Sequence, residues 1–223
     1  MSQKKDPAIR KNEIIQASEG LFLEQGYEAT TVEHILQRTG LSKGGFYHHF
    51  KSKEDVLMAI LDRITDETIQ VAQHIADMKE ISALEKFALF FRQQMEVKMP
   101  KVGMIRAFYE ERDHNTQFHK FNTMIWHKYV PVITQIVMQG IKEGSMKVTY
   151  PEETVRLLFG AIASLHDLYD RKADDGEMTD EMRRYVEALE AIFTKALGID
   201  AGLIHILEGD MPKELIGKIF NKL

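Results

Sequence analysis

The chain contains no cysteine. Disulfide frameworks and thiolate metal sites are therefore excluded, and a reducing, cytoplasmic setting fits. No apolar run approaches the ~18 residues that a membrane span needs, so no membrane partner is expected. The opening residues, MSQKKDPAIRKNE, are charged and lack an apolar centre, so no secretory leader is expected. Strand-like alternation is absent, and so is any internal repeat. Only five residues are proline, and apolar residues recur at three- and four-residue spacing almost throughout. That pattern predicts an all-α chain. The last absence is local. From His34 to Lys53 there is no acidic residue, although the 223-residue chain has a net charge of −5. This window holds Arg38, Lys43, Lys51, Lys53 and three histidines. Residues 1–55 contain eight basic and eight acidic side chains, so the acidic excess belongs to the remainder. A basic patch in an acidic protein points to a polyanionic partner; the plainer reading is a set of solvated lysines.

Capping signals divide the periodic pattern into helices. Asp6 before Pro7 opens the first, whose apolar face is Ile14, Ile15, Ala17, Leu21 and Phe22, with a stop at Gly26. Thr30-Thr31-Val32-Glu33 reads as a capping box in which Glu33 reaches back to the Thr30 backbone. That helix ends at Gly40, and Ser42 caps a third helix expected over 43–49. Ser52-Lys53-Glu54-Asp55 opens a long fourth helix with the stripe Leu57, Ile60, Leu61, Ile64, Thr68, Val71, Ile75. Further helices are expected from the Ser82-Ala83-Leu84-Glu85 box, over about 102–112, over 116–142 with a kink at Pro131, over about 151–169, and over 179–197. The loop RKADDGE separates the last two, and two short apolar-faced pieces follow Gly198.

Two short helices joined by Gly40-Leu41-Ser42 form a helix-turn-helix, whose second helix enters the DNA major groove. This accounts for an odd pairing. Gly44 and Gly45 are poor helix formers, each about 1 kcal/mol worse than alanine, yet they precede Phe46, Tyr47, His48, His49 and Phe50. In the first turn of a reading helix, missing side chains let the backbone approach DNA. Phe46 and Phe50, four apart, share a face that anchors the helix to its core.

The run from Thr30-Thr31-Val32 through TGLSKGGFYHHFKSKEDVL, together with Ile14, Ala17, Leu21, Phe22, Gly26 and Tyr27, resembles the signature of TetR-family transcriptional regulators and covers about the first 60 residues. The resemblance implies an N-terminal three-helix DNA-binding domain, residues 1–52, and a helical ligand-binding and dimerisation bundle, residues 53–223, with 53–75 as the connecting helix. It implies DNA contacts from Lys43, Tyr47, His48 and His49, a phosphate contact from Lys53 and from Thr31, and close backbone approach at Gly45. The expected partners are a palindromic operator in double-stranded DNA, a second copy of the chain and an unidentified small-molecule effector; no cofactor or metal is expected.

The resemblance also implies a dimer built on the last two long helices, with Leu158, Ile162, Leu165, Met182, Tyr185, Leu189, Ile192 and Phe193 as candidate interface residues, some of which must serve the chain's own core. The middle helices are rich in Phe and Met, which read either as ordinary core or as an adaptable apolar pocket. Candidate ligand residues are Phe91, Met95, Phe108, Met124, His127, Phe159 and His166. The function expected is a repressor released by a small apolar ligand, with activation left open. Ligand binding would shift the population between two tilts of the fourth helix. Two alternatives stand beside it. A nonspecific architectural DNA binder conflicts with the acidic net charge. A helical metal-carboxylate enzyme has one hint, the Glu-x-x-His spacing of Glu111 and His114, but no second copy. No nucleophile elbow, phosphate loop or dinucleotide fingerprint is present, so no enzyme is expected.

Overall fold

A computed structural model describes residues 6–101, 103–104, 107, 115–164 and 180–200. The helices are α1 (Pro7–Gln25), α2 (Val32–Thr39), α3 (Lys43–Tyr47), α4 (Lys53–Asp77), α5 (Ala83–Lys98), a 3₁₀ turn Met99–Lys101, α6 (Asn115–Glu143), α7 (Pro151–Ser164) and α8 (Asp180–Leu197). Among the described residues there is no strand, and no helix is long and apolar enough to cross a membrane. Most of the helix expected over 102–112, the stretch 165–179 and the tail from 201 lie outside the described residues. The chain divides into two compact units, one of residues 1–68 with 97–124 and one of residues 69–96 with 125–223. The division falls inside α4. The expected DNA-binding residues 1–52 lie wholly in the first unit.

In the first unit the caps form locally. The Asp6 carboxylate accepts the Ala8 N–H at 2.8 Å, with Pro7 in the first turn. The Ser42 hydroxyl accepts the Gly45 N–H at 3.2 Å, and the Ser52 hydroxyl the Asp55 N–H at 3.2 Å. The box at α2 is displaced by one residue from its expected place. Thr31, not Thr30, is the cap: its hydroxyl accepts the His34 N–H at 3.2 Å, and His34 Nδ1 accepts the Thr31 N–H at 3.4 Å. Thr30 is buried instead, donating its hydroxyl to the Gly26 carbonyl at 2.7 Å. Gly40 ends α2 in the left-handed region at φ 67°, where a glycine carries no Cβ penalty. Ile14, Phe22, Tyr27, Ile35, Phe46, Phe50, Leu57 and Ile60 are buried, and α1 packs on α2. Glu19 of α1 receives both Arg63 of α4 and Lys101 of the 3₁₀ turn.

The second unit is built on a larger core of α5, α6, α7 and α8, including Phe87, Phe90, Tyr129, Ile133, Ile136, Leu158, Leu189 and Phe193. α6 runs through Pro131 without breaking, and α7 packs on α8. Ser82 and Glu85 form the expected box at α5, the Ser82 N–H donating to Glu85 Oε2 at 2.7 Å and the Glu85 N–H to Ser82 Oγ at 3.3 Å. The C-terminal end of α4 is tied down by polar groups. Buried Lys86 donates to the Ala76 carbonyl and to Gln139 Oε1, both at 2.6 Å. Gln135 donates to Asp77 at 2.9 Å. Desolvation pushes the Lys86 ammonium below the usual lysine range, opposed by the charges of Glu143 and Asp77.

Candidate nucleic-acid interface

The five-residue α3 is shorter than the helix expected over 43–49; His48 and His49 follow it in a turn. Phe46 is fully buried and meets Phe50 with ring centroids 6.2 Å apart, so the expected anchor is present. Tyr47 is its outward counterpart. It is 53% exposed and rests edge-on against Phe46 at 5.4 Å. His48 is exposed and His49 half-buried, their rings 5.0 Å apart. Burial, then the neighbouring His48, Lys11 and Arg10, push the His49 pKa below its ordinary value.

The cations divide into two kinds. Lys43 is exposed and pairs with Glu33 of α2 at 3.2 Å. The Glu33 pKa is lowered, first by a hydrogen bond from its own backbone N–H and next by Lys43. An exposed pair of this kind contributes little, so Lys43 exchanges it readily for another anion. Lys53 is different. Its ammonium donates to the Tyr27 carbonyl at 2.9 Å and lies 3.9 Å from the centre of the Tyr27 ring. Thr31 is exposed, and its hydroxyl accepts from His34, which leaves the hydroxyl proton to donate elsewhere.

The two glycines are not demanded by the fold. A Cβ at Gly44 meets nothing within 4 Å, and one at Gly45 touches Leu41 Cδ2 and Ser42 Oγ at an ordinary 3.5 Å. α3 thus presents Lys43, then two residues without side chains, followed by an aromatic and imidazole edge.

The second unit holds a small apolar cavity, with room for about one water molecule (about 10 Å³), between Phe87, Phe90, Phe91, Phe159, Phe193 and four aliphatic side chains. Two of the expected ligand residues, Phe91 and Phe159, line it. Met124 and His127 do not; His127 is exposed. Phe108, His166 and the side chain of Met95 lie outside the described residues. Of the expected interface residues, Leu158, Leu189 and Phe193 are already buried in their own unit, and Ile162 lines the cavity. Tyr185 and Ile192 are 49% and 50% exposed. Leu165 and the Met182 side chain lie outside the described residues. Sequence periodicity missed Leu157, which is 76% exposed beside buried Leu158; in the run LLFGAIAS both faces of α7 are apolar, which was the available signal. Glu111 and His114 lie outside the described residues, among which no group of three or more potential metal ligands occurs.

A glycine-turned pair of helices presenting this surface defines a helix-turn-helix DNA-binding regulator. Residues 14–60 match the family described as bacterial regulatory proteins, tetR family. It is 27% identical over 155 residues to the transcriptional repressor KstR2 of Mycolicibacterium smegmatis, covering 69% of this chain and 74% of that one. It is 29% identical over 136 residues to the regulator QacR of Staphylococcus aureus, covering 60% and 72%. The fold is shared with a TetR-family regulator from Pectobacterium atrosepticum (TM-score 0.66, 20% identity, 88% of this chain and 98% of that one). It is shared also with RolR in complex with resorcinol (TM-score 0.63, 15% identity, 92% and 96%). The protein is a DNA-binding transcriptional regulator.

Proposed function

We propose that this regulator is a repressor, binds a palindromic operator as a homodimer, and is released by a small apolar effector. The observation that carries the reading is the outward face of α3: Lys43 in an exposed ion pair, the side-chain-free pair Gly44 and Gly45, then exposed Tyr47 and His48. Tyr47, His48 and His49 read base edges, Lys43 and Thr31 meet phosphates, and the backbone at Gly44 and Gly45 comes close to the duplex. Among the described residues of the packed pair α7 and α8, the exposed Leu157, Tyr185 and Ile192 offer apolar surface to a second copy. Repression is supported by the relative KstR2, a transcriptional repressor. An apolar effector is supported by the phenylalanine-lined cavity, and the solved RolR complex holds a small aromatic molecule. With room for only about one water molecule (about 10 Å³), the cavity admits an effector only if the rings move apart. It shifts operator affinity only by its difference in affinity between the two arrangements.

Selection of bound duplexes from a random pool is the test. The expected product is an inverted repeat with half-sites about 34–36 Å apart or a multiple of that spacing. A pool that stays random, bound with uniform affinity, refutes specific regulation. Gly44→Ala offers a sharper check, because its two effects have opposite signs. Melting temperature is expected to rise, by about 0.5–1 kcal/mol of stability, since the added methyl meets open space. Affinity for the selected duplex, read by fluorescence anisotropy, is expected to fall at least about tenfold, on the order of one lost contact. Unchanged affinity would remove the close approach of α3 from the account.

A further inference from the structure

The phenylalanine-walled cavity of the second unit ends in a buried polar pair, Gln94 and Tyr129. We infer that the ligand class of this cavity is an aromatic ring carrying one oxygen, a phenol in its simplest form, held by the Gln94 amide beside Tyr129. The inference deepens the effector reading above and rests on it.

Helical register places the pair, and every residue concerned belongs to the second unit. On α5, Phe87, Phe90 and Phe91 wall the cavity. Gln94 follows Phe90 by four residues and Phe91 by three, so it continues their face one turn, about 5.4 Å, further along. On α6, Ile133 lines the cavity, and Tyr129 precedes it by four residues on the same face. The Tyr129 hydroxyl donates to Gln94 Oε1 at 3.2 Å, so both helices bring their polar residue to one end of the cavity. Tyr129 is also joined to the wall. Its ring stacks on Phe159 with centroids 5.8 Å apart and meets Phe90 edge-on at 5.8 Å.

Gln94 has hydrogen-bonding capacity left over. It is 8% exposed, and Tyr129 is 2% exposed. A glutamine amide offers two N–H donors and two lone pairs on its oxygen. Among the described residues, one donor goes to Gln93 Oε1 at 3.1 Å and one lone pair to Tyr129, and the second N–H has no partner. A buried donor is costly to leave so, and a leucine here would extend the phenylalanine stripe without that cost. The rings supply the shape. Phe87, Phe90 and Phe193 are buried, whereas Phe91 and Phe159 are half-buried. Phe159 precedes Gly160, where an added Cβ would meet nothing within 4 Å. Phe159 is therefore a ring with room to swing, and the surface it vacates is the face of Tyr129. An aromatic ligand stacks in its place, and the ligand oxygen accepts the second Gln94 N–H.

Phenol and toluene are nearly alike in shape and differ in the oxygen, so calorimetric titration of the full chain with each separates the readings. Phe159→Ala is titrated beside the wild type, because it leaves a ring-sized space over Tyr129. Phenol is expected to bind the wild type, and Phe159→Ala more tightly, in both about tenfold or more tighter than toluene, on the order of one hydrogen bond. Gln94→Leu combined with Tyr129→Phe removes both polar partners and strands neither. That double variant is expected to bind toluene at least as well as the wild type does and to lose the preference for phenol. Toluene bound as tightly as phenol by the wild type would overturn the inference, and so would a phenol preference that survives in the double variant. Neither probe bound by the wild type or by Phe159→Ala would overturn it equally. The effector reading fails in a different way: phenol binds with the expected preference, and the selected duplex stays bound when phenol saturates the cavity.

Discussion

Phe46→Ala is expected to destabilise the first unit by about 3–5 kcal/mol, the range for removing a fully buried phenylalanine. α3 has five residues and cannot hold itself together in water. Its place depends on Phe46, which meets Phe50 and backs Tyr47. A loss of this size is a large share of the ~5–15 kcal/mol that holds a domain folded. Thermal melting followed by circular dichroism should show an early loss of helix, and operator binding should disappear at temperatures where the wild-type protein still binds. A melting curve within a degree or two of wild type would mean that the α3 anchor lies elsewhere.

Tyr47→Ala is the complementary case. The side chain is 53% exposed, so its removal costs little stability, about 1 kcal/mol at most from the lost edge contact with Phe46. Its effect falls on recognition. A good base contact contributes about 1–3 kcal/mol, and a homodimer makes it twice, so operator affinity is expected to fall by about 10²–10⁴-fold. Anisotropy on the selected duplex and on a scrambled one measures this, with the scrambled duplex nearly unaffected. Tyr47→Phe divides the loss between hydroxyl and ring. Equal weakening on both duplexes would make Tyr47 a general backbone contact and not a reader of sequence.

The helical boundaries were legible wherever the interaction that sets them is local. Asp6, Ser42, Ser52 and Ser82 each cap a helix through a bond to an amide two or three residues on, and the spacing alone shows it. The error at α2 has a physical source. Thr30 and Thr31 both suit a cap, and burial decides between them: the Thr30 hydroxyl is used by Gly26, which leaves Thr31 for the helix. The outward and inward sides of α3 were legible too, because Phe46 and Phe50 repeat at four. Long-range partners were not. Nothing near Lys53 in sequence announces Tyr27, and nothing near Lys86 announces the Ala76 carbonyl. The apolar stripes of α7 and α8 showed that surface would be buried without showing by what. Leu158, Leu189 and Phe193 are covered by their own chain, and Leu157, one position from Leu158, is exposed.

The fastening of α4 at its C-terminal end has a mechanical consequence. Lys86 and Gln135 hold Ala76 and Asp77, so that end of the rod behaves as a fulcrum. α4 has 25 residues, about 37 Å at 1.5 Å per residue, so a tilt of about 5° about Ala76 carries the Lys53 end through about 3 Å. That is as long as a hydrogen bond.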